Sequence, residues 1–106
     1  MNGPAQADDG LPQDSSAAVV REIEIINKKG LHARASAKFC QTVERFDAAV
    51  RVTRGSETVG GTSIMGLMML GAATGTTITV EVSGQEATAA IEAIDKLVSS
   101  GFGEED

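Results

Sequence analysis

Every strand-like stretch of this chain alternates apolar with polar side chains, and this half-apolar pattern constrains the fold class most. In residues 19–26 (VVREIEII), Ile23 and Ile25 point one way, Glu22 and Glu24 the other. Residues 49–53 (AVRVT) and 76–83 (TTITVEVS) repeat the pattern, the latter with Ile78, Val80 and Val82 inward. Residues 57–60 read as a short returning strand after the tight reversal Arg54-Gly55-Ser56. A parallel sheet covered on both faces would show continuous apolar runs. Alternation throughout predicts an antiparallel sheet with helices on one face only.

The helical segments lie between these strands. Over residues 32–46 the period lengthens, with Ser36, Phe39, Cys40, Val43 and Phe46 on one side. Residues 62–70 form a short helix, with Thr62 or Ser63 as N-cap and Gly71 as terminator. Gly66 inside it costs about 1 kcal/mol relative to Ala, which implies close packing or an exposed docking face. Residues 85–100 carry an apolar stripe of Ala87, Ala90, Ile91, Ile94, Leu97 and Val98. The order β-α-β-β-α-β-α defines an α+β, two-layer, open-faced β-sandwich.

Its 106 residues suffice for one domain. The net charge of -6 sits at the ends. Residues 1–18 hold Asp8, Asp9 and Asp14 without a basic side chain, and Glu104, Glu105 and Asp106 close the chain. The division expected is a disordered acidic tail over 1–18, a neutral folded domain over 19–103 and an acidic end over 104–106. Lack of a basic field, of Trp and of Tyr disfavours a nucleic-acid module. No apolar run is long enough to span a membrane. A single Cys40 and a single His32 provide neither a disulfide nor a metal cluster, and no cofactor motif is present. With no secretory signal pattern, the expected compartment is the cytoplasm and the expected state a monomer.

The most informative stretch is residues 27–36, NKKGLHARAS. A strand ends, Gly30 permits a tight turn, and a helix begins directly after His32. Its first turn offers unpaired backbone N–H groups at the positive end of the peptide dipoles, an anion site in itself. An imidazole there can carry a phosphoryl group whose oxygens bond the N–H groups of Ala33 and Arg34, with the Arg34 guanidinium adding charge-assisted bonds. A phosphoramidate is labile enough to be passed on. Local chemistry also admits the plainer reading of a helix cap and a solvated arginine, and Ser63 likewise reads as an ordinary cap.

Residues 27–36 resemble the phosphorylation-site segment of the HPr family, the phosphocarriers of the phosphoenolpyruvate-dependent phosphotransferase system. Residues 61–70 (GTSIMGLMML) are similar to that family's second signature, at the expected separation. The resemblance implies a sheet order of 1-4-2-3. It further implies that His32 takes a phosphoryl group on Nδ1 from enzyme I and passes it to an enzyme IIA protein, with Arg34 stabilising the phosphate. Ser63 would be the regulatory target of an HPr kinase/phosphorylase. Leu67 and Leu70 would lie inward, and Ile64, Met65 and Met68 would form the docking patch. The family's motif usually runs His-Ala-Arg-Pro-Ala, and Ala35 stands here at the Pro position. A chain of this kind is a carrier and substrate, not an enzyme. The alternative is a regulatory binding protein whose phosphorylation state modulates a kinase or transcription factor.

Overall fold

The computed structural model describes residues 18–104. The order is β1 (Val19–Glu24), α1 (Ala33–Glu44), β2 (Ala49–Arg54), β3 (Glu57–Gly60), α2 (Ile64–Met69), β4 (Thr77–Ser83) and α3 (Ala87–Ser99), closed by a 3-10 turn over Gly101–Gly103. The tail expected over residues 1–18 falls, but for Ala18, outside the described residues.

All pairings in the four-stranded sheet are antiparallel, in the order β1-β4-β2-β3. The alternation read from the sequence becomes the two faces of this sheet. Opposed pairs such as Ile23 with Ile78, and Val52 with Val80, put their side chains under the helices. They meet Phe39, Cys40 and Val43 of α1, Leu67 of α2, and Ala90, Ile91, Ile94 and Val98 of α3 in one continuous core. The other face is open and polar. Arg51 reaches Glu81 at 2.8 Å across adjacent strands, and the Thr53 and Thr58 hydroxyls meet at 2.8 Å.

Boundaries move by a residue or two from those predicted. β1 ends at Glu24 rather than Ile26, although Ile25 still exchanges backbone bonds with Thr76 and Gly75. α2 is shorter than predicted because Ser63 is the cap: its Oγ accepts from Gly66 N–H at 2.9 Å, leaving Thr62 outside. The helical Gly66 owes its place to packing, since a Cβ there would come within 3.0 Å of Val59 Cβ and 2.9 Å of Ser63 Oγ. The closing turn over Gly101–Gly103 was not predicted.

Candidate functional site

His32 is the N-cap of α1. Gly30 places it there, in a left-handed conformation (φ +65°) with a backbone so close that a Cβ would fall 2.3 Å from the Ala72 carbonyl oxygen. Leu31 N–H donates to that same carbonyl at 3.0 Å, and His32 N–H to Gly30 at 2.9 Å. The strand-to-helix loop is thereby fastened to the segment that follows α2. This is what holds the exposed residues of α2 near the start of α1.

Two partners fix the imidazole. Nδ1 accepts from the Arg34 backbone N–H at 3.3 Å, and Nε2 lies 2.6 Å from Glu104 Oε2. A backbone N–H can only donate and an ionised carboxylate can only accept, so Nε2 carries the proton and Nδ1 is bare. The Glu104 carboxyl is held ionised. Burial pushes it up, but the hydrogen bonds from His32 and Asn27, with the electrostatic pull of the His32 ring and of Lys38, outweigh that and leave it below its ordinary range.

Around the ring is an open pocket of about 550 Å³ lined by Lys29, His32, Ala33, Arg34, Lys38, Gly103 and Glu104. The Arg34 side chain is exposed and takes part in no ion pair among the described residues. With two lysines, an arginine and a helix N-terminus at its rim, the pocket suits an anion. Ala35 is fully buried in the first turn, and α1 starts regularly without a proline. Its N–H adds one more donor to the unpaired group at the helix start.

The sequence places Glu104 in the acidic end over 104–106 and Asn27 in a turn, and gives neither them nor Lys38 and Phe102 a part in the site; the structure brings all four to the ring. Gly101, Phe102 and Gly103 all have positive φ (67°, 60° and 70°), which turns the chain back onto the site. Phe102 is 1% exposed, and its carbonyl accepts from Lys38 Nζ at 2.7 Å. Asn27, also 1% exposed, donates from Nδ2 to Gly30 O at 2.9 Å and to Glu104 Oε1 at 3.1 Å. The two glycines flanking a phenylalanine were the one available signal, since Gly marks positive-φ positions.

The second segment contributes no residue to the lining of this pocket. Leu67 and Leu70 are buried, while Ile64, Met65, Met68 and Met69 are exposed, Met65 and Met69 by 68% and 73%. Ser63 is exposed at the head of this apolar surface. Cys40 is buried and its thiol is pushed up, first by burial and then by Glu44. Among the described residues no cluster suited to a metal occurs, and no helix is long and apolar enough to cross a membrane.

The class this defines is an antiparallel open-faced sandwich that carries a histidine, bare at Nδ1, at a helix N-terminus beside a pocket suited to an anion. A family model described as the PTS HPr component phosphorylation site matches residues 19–100. The chain is 52% identical over 84 residues to phosphocarrier protein HPr of Neisseria meningitidis, covering 79% of this chain and 94% of that one. It is 42% identical over 84 residues to phosphocarrier protein NPr of Shewanella violacea, covering 79% and 92%. The crystal structure of HPr from Thermoanaerobacter tengcongensis superposes with a TM-score of 0.79 at 40% identity, covering 83% of this chain and 99% of that one. The chain belongs to the HPr family of the phosphotransferase system. It is therefore a histidine phosphocarrier in a phosphoryl relay, not an enzyme.

The shifted carboxylates make stability pH-dependent. Glu104 is lowered as described, and Asp95 is lowered by hydrogen bonds from Ser99 and then Arg21, which ties α3 to β1 at 2.8 Å. A lowered folded-state pKa gives stability that is complete above the ordinary carboxylate range and is lost as pH falls through the lowered value. Urea midpoints should thus fall on acidification below that range, and less steeply in Glu104→Gln. Parallel acid profiles for the two proteins would contradict the assignment.

Proposed function

We propose that His32 Nδ1 is the phosphoryl acceptor, charged by enzyme I and discharged to an enzyme IIA protein in the cytoplasm. The observation that carries this reading is the pair of contacts on the ring: Glu104 occupies Nε2, and among the described residues Nδ1 is engaged only by a long 3.3 Å bond from Arg34 N–H. On phosphorylation that N–H, with its neighbour on Ala33, is freed for a phosphate oxygen. The exposed Arg34 guanidinium supplies a charge-assisted bond. Ile64, Met65 and Met68, a Met-containing exposed surface of the kind that adapts to several partners, form the docking face. Incubation with phosphoenolpyruvate, Mg²⁺ and enzyme I should yield one acid-labile phosphoryl adduct by intact mass, located on Nδ1 by nitrogen NMR. An adduct on Nε2, on another residue, or none with an enzyme I active on a known carrier would refute the reading.

Ser63 is the regulatory position, the target of an HPr kinase/phosphorylase. Its exposed hydroxyl heads α2, and a phosphate there would set about -1.5 to -2 charges beside the apolar docking face. Ser63→Glu should lower the efficiency of charging by enzyme I roughly tenfold, the effect of about 1.4 kcal/mol lost at the interface. An unchanged efficiency would remove the regulatory role.

A further inference from the structure

We propose that Glu104 and Asn27 are positioning residues of phosphoryl transfer, with Glu104 holding the His32 ring in the tautomer and orientation that bare Nδ1, and Asn27 holding Glu104. The inference rests on His32 Nδ1 being the acceptor.

Both carboxylate oxygens of Glu104 are committed inward, Oε2 to His32 Nε2 at 2.6 Å and Oε1 to Asn27 Nδ2 at 3.1 Å. Its side chain is only 11% exposed although it lies beyond the last helix. The backbone that brings it there is strained. Phe102, a buried non-glycine residue, is held at φ +60°, a conformation that costs of order 1 kcal/mol or more and persists only where its surroundings enforce it. The enforcing contacts are the buried ring and the bond from Lys38 Nζ to its carbonyl. Asn27 spans the two halves of the device, since its single amide nitrogen bonds the loop before His32 and the carboxylate after the closing turn.

The chemistry gives this arrangement a purpose. The Nδ1 lone pair forms the new N–P bond while the bond from phosphorus to enzyme I breaks, its electron pair leaving with the donor atom of enzyme I. The ring becomes an N-phosphoimidazolium with positive charge shared by both nitrogens, and Nε2 keeps its proton. Glu104 faces that charge at Nε2, across the ring from the phosphate on Nδ1, so it stabilises the transition state. When the group passes to the next protein the same steps run in reverse.

Single-turnover transfer from phospho-enzyme I, followed by rapid quench, tests the proposal. Glu104→Ala should slow the transfer step roughly 10- to 100-fold, the worth of one hydrogen bond to a charged group, with the apparent affinity for enzyme I unchanged. Glu104→Gln should lose about tenfold, because the amide oxygen still accepts from Nε2–H but carries no charge. Each variant should still end with one phosphoryl group on His32, which separates failure of this inference from failure of the acceptor assignment. Asn27→Ala should slow transfer by a smaller factor and add nothing in the Glu104→Ala background. Should Asn27→Ala not fold, Asn27→Asp keeps its shape while removing the donor, and should slow transfer likewise. Glu104→Ala within twofold of the parent rate, or a weaker affinity with an unchanged transfer step, would overturn the role of Glu104. Multiplicative effects in the double variant would overturn that of Asn27.

Discussion

Replacing His32 by Ala is expected to abolish phosphoryl acceptance from enzyme I while leaving the protein folded. The chain has one histidine, so no second imidazole can substitute. The side chain is 26% exposed and sits outside the apolar core, and its loss removes the contacts to Glu104 and to Arg34 N–H. Two such hydrogen bonds, one to a charged partner, bound the cost at about 2–4.5 kcal/mol. Intact-mass spectrometry checks the first expectation and a urea titration the second. A labile adduct surviving in His32→Ala would place the acceptor elsewhere. A variant that failed to fold would show that this ring holds the structure together, which its burial does not indicate.

The second large effect falls on stability. Phe102→Ala removes one of the two largest fully buried side chains, and truncation of a buried Phe costs about 3–5 kcal/mol. That is a large part of the roughly 5–15 kcal/mol by which a small domain is stable. The left-handed backbone at residue 102 remains awkward for Ala, so no relief of strain offsets the loss. Thermal unfolding should move down by about 10 °C or more, since 1 kcal/mol corresponds to some 4–8 °C in a domain of this size. Charging by enzyme I should slow as well, even where the protein is folded, because Glu104 is positioned two residues further on. A shift in unfolding below about 1 kcal/mol would mean that the ring's site collapses without cost. A normal charging rate in the folded variant would separate the closing turn from the phosphorylation site.

Much of the fold was legible because its determinants are local. Ile23 and Ile25 against Glu22 and Glu24 define a strand with one buried face. The spacing of Phe39, Cys40 and Val43, and of Ile91, Ile94 and Val98, defines two helices by period alone. Ser63 could be named as a cap because capping is a contact between residues three apart. His32 and Arg34 stand out because a glycine turn, an imidazole and an arginine at a helix start are adjacent in the chain. The exposed methionines of α2 followed from arithmetic, since a six-residue helix cannot bury that many apolar side chains on one side.

Glu104 was not legible, and the reason is distance along the chain. Its contact with His32 spans 72 residues and that with Asn27 spans 77. In the sequence it opens the run Glu-Glu-Asp, whose composition is that of a solvated end. Only the packed Phe102 ring and three successive positive φ angles turn it back onto the site. Periodicity and local motif thus determined the layers of the sandwich and the histidine at its helix start. The tertiary structure alone decided what faces Nε2 of that histidine, because the carboxylate bonded there comes from the far end of the chain.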